Sequence, residues 1–255
     1  MPDSINVLIP NADNITIQHL LSHTSGIQNF TDGNGFDHFL YQDSTHYRTW
    51  NKHEYFQFLT RDSLDFSPGS DTSYSNTAYI LLGYIIEELS GAPYHQVLNK
   101  NILEPLGMNF TYVDGFNPPM IPAIDNYSRP TNIIERNLDR ISFKKLVNKE
   151  FYNLSNNQPF NAWAYSAGAI NSNTEDLLRF ALAIKDTKVP VPEEWRELME
   201  EREFFDGNGG SLGINSSVFI SKKKDIIVIV LLNTSIEGIE SWRIANKIYD
   251  QMIIE

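Results

Sequence analysis

A helix with no polar face has to be enclosed, and residues 76–91 spell one: Asn-Thr-Ala-Tyr-Ile-Leu-Leu-Gly-Tyr-Ile-Ile-Glu-Glu-Leu-Ser-Gly. Asn76 reads as the N-cap and Gly91 as the stop. The apolar positions run around the whole cylinder, so the helix is expected in a core rather than on a surface. A chain of 255 residues can supply that core, because at this size about 70–75% of the unfolded surface is buried on folding.

The other elements are arranged around it. Thr16 can cap a short helix over 17–23 that ends at Gly26, and Pro93 opens a helix carrying Val97, Leu98 and Ile102 that stops before Pro105. Thr174 is expected to cap a fourth helix, with Leu177, Phe180, Ala181 and Ile184 on one face. Pro192, Glu193 and Glu194 open a fifth. After about residue 207 the texture changes. Residues 216–221 alternate around Val218 and Ile220, 222–225 make a charged turn, and 226–233 form a β-branched run. That pattern predicts a hairpin whose second strand is buried on both faces. A strand over 209–214 should complete a three-stranded antiparallel sheet. Ala245, Ile248, Tyr249 and Met252 form a helical stripe suited to covering it. Helices first and strands last make an α+β chain. Between them, residues 117–164 are rich in Asn and Pro, with one short helical stretch near 141–150; a connection of that length is usually functional.

Composition narrows the function. There is no cysteine, which removes disulfides, Cys-based zinc sites and cysteine catalysis. A net charge of −12 repels phosphate backbones and anionic lipid, so neither nucleic acid nor a membrane surface is an expected partner. The apolar run 226–232 is far short of the ~20 residues needed to span a bilayer, and no export signal is legible. The location stays open.

Three chemical leads are weak. Gly209-Gly210-Ser211-Leu212-Gly213 fits the G-x-S-x-G elbow, but that turn joins a strand to a helix, and here a strand comes next. His19 and His23 stand four apart on a helix, with no third ligand in view, and packing or capping is the favoured role; no metal or other cofactor is expected. Ser-x-x-Lys occurs at Ser142–Lys145 and at Ser221–Lys224, the second beside a lysine-rich turn. A fourth lead is better. Pro68-Gly69 turns the chain five residues before Tyr74-Ser75-Asn76, ahead of the enclosed helix. A phenol can move a proton and an amide can hold a substrate carbonyl. On the residues alone, an ordinary turn with Asn76 as cap is still favoured over a site.

The segment from Ile15 to Ile27, with His23-Thr24-Ser25-Gly26, resembles the His-Thr-Ser-Gly block of the serine β-lactamase and DD-peptidase superfamily, nearest its class C-like branch. Pro68-Gly69, Tyr74-Ser75-Asn76, Leu82-Gly83-Tyr84, Ser90-Gly91 and Pro105-Leu106-Gly107-Met108 resemble its second block. Ala167-Gly168 with Thr174-Glu175-Asp176-Leu177 resembles a third, and Gly209-Gly210, Gly213 and Ser216 a fourth. The resemblance runs from about residue 3 to the C-terminus. It implies the β-lactamase/transpeptidase-like fold, a helical lobe joined to an antiparallel sheet flanked by helices. It also implies serine-dependent acyl transfer at an amide, ester or lactam carbonyl of a small peptide-like molecule.

Carried over by position, the resemblance makes Tyr74 the proton shuttle and Asn76 the binder of the substrate amide. Gly207-Asn208-Gly209 stands where the family has a Lys- or His-x-Gly strand, so Gly210 would offer the oxyanion-hole N–H. These groups should face one concavity. The chain departs from the family pattern twice. The strand cation is replaced by Gly207. The family's Ser-x-x-Lys lies well upstream of His-Thr-Ser-Gly, and Met1-Pro-Asp-Ser-Ile-Asn resembles the segment just after the nucleophile helix. A free phenol titrates near ~10, so a tyrosine base depends on neighbouring cations that this pattern lacks. The expectation is therefore a hydrolase domain lacking its N-terminal catalytic segment and inactive by itself, with a binding module or pseudoenzyme as the alternative. Residues 1–206 would be mainly helical and 207–255 the remnant of the sheet lobe. An exposed sheet edge there would favour homodimers. Family members are usually exported.

Overall fold

In the computed structural model the enclosed helix spans Asn76–Ser90 (α3 in chain order) and ends at Gly91, which takes the left-handed conformation that lets the chain turn away. The structure describes residues 9, 12–33, 35–36, 39, 48–59, 63–116, 127–128, 144–145, 152–153, 162–186, 204–211, 213–235 and 239–253. Two compact units are formed: Met1–Leu98 with Val113–Pro118 and Pro159–Ile170, and Asn99–Tyr112 with Pro119–Gln158 and Asn171–Glu255.

In the first unit α1 (Ile17–Leu21), α2 (Lys52–Phe56), α3 and α4 (Tyr94–Leu98) surround an aromatic core. Thr77, Ala78, Ile80, Leu81, Gly83, Tyr84 and Ile85 of α3 are all buried. Gly83 is required there: a Cβ would stand 2.2 Å from the Ser166 hydroxyl, which donates to the Tyr79 carbonyl at 2.8 Å. Phe30 packs edge-on against Tyr55 at 5.3 Å, and Phe36 against Trp163 at 5.3 Å, the T-shaped geometry that ring quadrupoles favour. The Tyr55 hydroxyl donates to the Trp163 carbonyl at 2.8 Å. Burial pushes this phenol's pKa well up, keeping it a donor.

The second unit holds α5 (Thr174–Lys185), β1 (Phe204–Ser211), β2 (Ile214–Ser221), β3 (Ile226–Leu232) and α6 (Ser241–Met252). The strands form an antiparallel sheet in the order β1-β2-β3. Phe219, Val228 and Val230 on one face pack against Ala245 and Tyr249 of α6. α5 packs against β2 and β3, and Lys185 pairs with Asp225 in the β2–β3 turn. Asp176, fully buried, accepts from the Phe110 N–H at 2.8 Å, the Thr111 hydroxyl at 2.9 Å and Arg179 at 2.8 Å.

Several local expectations are corrected. α1 closes at Leu21, within a capping box of Thr16 and His19. The caps of α3 and α5 are Ser75 and Asn173, one residue earlier than expected in each case. The helix after Pro93 does not stop before Pro105. It widens into a π-helical turn at Asn99–Leu103, and Pro105 sits in the first turn of Glu104–Leu106, where its missing N–H costs nothing. β1 lies at 204–211 rather than 209–214, because Gly213 at φ 75° makes the turn. β3 is not buried on both faces: Val228 and Val230 are enclosed, whereas Leu231 is 39% exposed. Lys144–Lys145, inside the stretch expected to be helical near 141–150, is instead extended and pairs antiparallel with Tyr152–Asn153. The rest of that stretch, the helix opening at Pro192, Ser142 and the segment 1–6 lie outside the described residues.

Candidate active site

The loop carrying Tyr74, Ser75 and Asn76 is fastened to the His23-Thr24-Ser25-Gly26 segment by backbone pairing. The Gly69 N–H donates to the Thr24 carbonyl at 2.8 Å, the Asp65 N–H to the Gly26 carbonyl at 2.8 Å, and the Ser73 N–H to the His23 carbonyl at 3.0 Å. Gly26 is held at φ +73°, and a Cβ on it would lie 2.1 Å from the Phe66 carbonyl oxygen. No side chain fits.

His23 carries the contact further. Its backbone is left-handed (φ 58°), which turns the ring toward the loop. Its Nδ1 accepts the Ser75 N–H at 3.2 Å, and its ring stacks obliquely on Tyr74 at 4.6 Å and on Tyr79 at 5.1 Å. Burial lowers the His23 pKa from its ordinary 6.5, which keeps Nδ1 free to accept. His19 is occupied in the box with Thr16, at 3.1 and 3.3 Å. The two histidines therefore cap and pack. Among the described residues no group of three or more His, Asp or Glu could hold a metal ion.

Because Ser75 is the cap, accepting from the Ala78 N–H at 3.3 Å, Asn76 is released from that duty. Its backbone N–H donates to Asn29 Oδ1 at 3.0 Å and its Nδ2 to the Thr31 hydroxyl at 3.4 Å. Its Oδ1 accepts from the Tyr74 hydroxyl at 3.1 Å. Tyr74 is 63% exposed. Next along the helix, Thr77 accepts from the Phe30 N–H at 2.9 Å and donates to the Gln28 carbonyl at 2.6 Å. A phenol and an amide thus stand together at the start of a rigid helix, open to solvent. Asn29, which holds the Asn76 backbone N–H, and Thr31, which contacts its carboxamide, lie more than forty residues away in sequence and carried no local signal.

In the second unit, Gly207, Asn208, Gly209 and Gly210 are consecutive on β1, opposite Val218, Ser217, Ser216 and Asn215. All four are exposed. A Cβ at Gly209 would meet the Ser216 hydroxyl at 2.8 Å, whereas one at Gly207 would meet nothing within 4 Å. Gly210 stands opposite Asn215, next to the Ser211–Ile214 pair that ends the ladder. The carboxamide of Asn215 accepts from the Ser241 N–H at 2.8 Å and from the Ser241 hydroxyl, capping α6 from the sheet.

Two of the other serine leads, Ser211 and Ser221, do not stand in a nucleophile's setting. Ser211 ends a strand that turns into another strand, so it is not on an elbow. Ser221 is fully buried in β2, accepting from the Lys224 N–H at 3.3 Å and the Tyr249 hydroxyl at 3.4 Å.

Comparison with known proteins decides the family. Its profile, described as Beta-lactamase, matches residues 6–243. The chain belongs to the beta-lactamase family. Curated relatives include Penicillin-binding protein 4* of Bacillus subtilis, 30% identical over 185 residues, which are 67% of this chain and 35% of that protein. Putative penicillin-binding protein PbpX of the same organism is 24% identical over 254 residues, 94% of this chain and 56% of its own length. The chain thus spans between about a third and a little over half of these two relatives. In fold it is similar to the D-stereospecific amidohydrolase from Streptomyces sp. (TM-score 0.69, 22% identity, 90% of this chain and 72% of the other). It is also similar to a penicillin binding protein from Bacillus halodurans (TM-score 0.68, 19% identity, 93% and 73%). The beta-lactamase/transpeptidase-like fold and its α+β class are established by these likenesses. No described helix is long and apolar enough to cross a membrane.

Proposed function

We propose that this chain carries part of the site of a beta-lactamase-family serine hydrolase that transfers acyl groups at the amide, ester or lactam carbonyl of a small peptide-like molecule. The observation that carries the reading is the Tyr74–Asn76 hydrogen bond on a loop pinned by His23, with Asn76 relieved of capping. In this reading Tyr74 shuttles the proton, Asn76 holds the substrate amide, and Gly210 on the Gly207-Asn208-Gly209 strand donates its N–H to the oxyanion. Support comes from relatives named as penicillin-binding proteins and a putative D-alanyl-D-alanine carboxypeptidase, and from structural neighbours named as D-amino acid amidases.

We further propose that these 255 residues form no acyl-enzyme by themselves. Ser221 is buried and already hydrogen-bonded, and Gly207 supplies no cation. Loss of the nucleophile from such a unit costs on the order of 10⁶ in kcat. Gly207 also favours the second reading, a binding module that keeps ligand recognition without turnover. The test is incubation with a fluorescent penicillin or an activated-serine probe, alongside Ser142→Ala and Ser221→Ala. No covalent labelling, with reversible binding of a peptide-like ligand that weakens at least about tenfold in Asn76→Ala, is expected. Stoichiometric labelling lost in either serine variant overturns the proposed inactivity and names the nucleophile.

Homodimers through the outer edge of β1 are proposed as well. β1 is an edge of the three-stranded sheet among the described residues, and Phe204 on it is 51% exposed. Sedimentation equilibrium should show concentration-dependent dimers that Phe204→Lys abolishes. A sharp monomer at high concentration rules them out.

A further inference from the structure

The carboxamide of Asn76 lies between two hydroxyls, and all three groups belong to the first unit. The Tyr74 O–H donates to Oδ1 at 3.1 Å, and the Thr31 Oγ1 accepts from Nδ2 at 3.4 Å. The Thr31 hydroxyl makes no other hydrogen bond among the described residues. A hydroxyl donates or accepts by turning its hydrogen, whereas a carboxamide has one donor end and one acceptor end. The same row therefore also closes the other way round, with Thr31 donating to Oδ1 and Nδ2 donating to the phenol oxygen.

Little has to move between the two arrangements. The backbone on both sides is held: the Asn76 N–H donates to Asn29 Oδ1 at 3.0 Å, and Ser75 caps α3. The fully buried Thr77 grips the segment carrying Thr31, through the Phe30 N–H at 2.9 Å and the Gln28 carbonyl at 2.6 Å. Only the Cβ–Cγ torsion of Asn76 turns, and in asparagine that torsion is broad and roughly two-fold. The two arrangements treat the phenol differently. The first offers it a carbonyl, which suits an O–H. The second offers it an N–H, which suits a phenolate, because a hydrogen bond made to the charged form favours that form.

Resting on the shuttle role proposed above for Tyr74, we propose that Thr31 is a positioning residue whose hydroxyl lets the Asn76 amide turn over as Tyr74 changes from proton donor to proton acceptor. The phenol gives its proton to the departing atom of the substrate and takes one from the attacking hydroxyl. No proton crosses the amide. The turn exchanges an O–H···O=C bond for an N–H···O⁻ bond at Tyr74, and Thr31 passes from accepting at Nδ2 to donating at Oδ1. Removing the Thr31 hydroxyl leaves Oδ1 without its donor in the second arrangement, so the phenolate loses that support.

The test needs no substrate. A fluorinated tyrosine is placed at position 74 of the 255-residue chain, where its ring fluorines make this one phenol more acidic than the others. Its ionisation is followed by fluorine NMR from about pH 7 to 9. Two titratable rings face it. His23, stacked at 4.6 Å, has its pKa lowered by burial and stays neutral in that range, and Tyr79 is held protonated by burial and by the charge at position 74. Thr31→Val is expected to lower the ionisation constant at least about threefold and Thr31→Ser to restore it, with no effect of Thr31→Val in an Asn76→Ala background. An ionisation unmoved by Thr31→Val but moved by Asn76→Ala overturns this inference and leaves the Tyr74–Asn76 pair standing. An effect of Thr31→Val that persists without the Asn76 amide also overturns it, since Thr31 then acts by another route. Indifference to both substitutions overturns the pairing on which the proposed function rests, and the role of Thr31 with it.

Discussion

His23 Nδ1 accepts the backbone N–H of Ser75 across 3.2 Å, joining residues 52 positions apart in sequence. That single bond places the cap of α3 and, one residue on either side, Tyr74 and Asn76. Replacing His23 by Ala strands a nearly buried N–H and removes the ring that supports Tyr74. A loss of about 1–3 kcal/mol, read as a lower urea midpoint with unchanged slope, is the expected result.

The same bond makes the loop sensitive to acid. In the folded chain the His23 pKa lies below its ordinary 6.5 because burial penalises the imidazolium. The unfolded chain therefore binds the proton more readily. The contribution to stability is complete above about 6.5 and declines as pH falls through the lowered folded value. Urea midpoints taken between pH 7.5 and 5 should fall more steeply for the unsubstituted chain than for His23→Ala. Parallel lines would show that His23 is not responsible.

Asp176 should be the costliest single carboxylate to remove from the second unit. It is fully buried and receives one backbone N–H, one hydroxyl and Arg179. Asp176→Ala is expected to cost about 3 kcal/mol, measured by chemical denaturation. Asp176→Asn, which keeps an acceptor, should cost visibly less.

Gly26→Ala faces two penalties at once, a left-handed backbone and a methyl 2.1 Å from the Phe66 carbonyl oxygen. A destabilisation above about 3 kcal/mol, or failure to accumulate as folded protein, is expected. Gly207→Ala, whose added methyl meets nothing within 4 Å, should change the thermal midpoint by less than about 2 °C and serves as the matched control.

What the sequence disclosed depended on where each determinant lay. α3 was legible because its apolar composition and its terminal Gly91 are both local. Its cap was misplaced by one residue because Ser75 and Asn76 are both good caps; the choice was made by the extended backbone of Ser75 (φ −144°, ψ 112°) and by the pull of Asn29 on the Asn76 N–H. The start of β1 was hidden for a different reason. Asp206-Gly207-Asn208-Gly209-Gly210 has almost no strand propensity, and it is extended because β2 pairs with it from Ser221 back to Ile214. Pro105 is a helix breaker only where an N–H is required, and the π-helical turn before it shifted that requirement. At the site, the pairing of Tyr74 with Asn76 could be suspected from their spacing. Their anchors could not, since Asn29, Thr31 and His23 reach them only through the folded chain.

Gly26 sits against Phe66 with no room for a side chain, and nothing about that contact involves a reacting atom. The tetrapeptide by which a chain of this kind is recognised is thus partly a record of how two loops are nested, written in steric exclusion. A descendant could exchange its nucleophile or its cation and still be obliged to spell glycine there, so lineage and catalysis are inscribed in separate residues and can be read, and lost, independently.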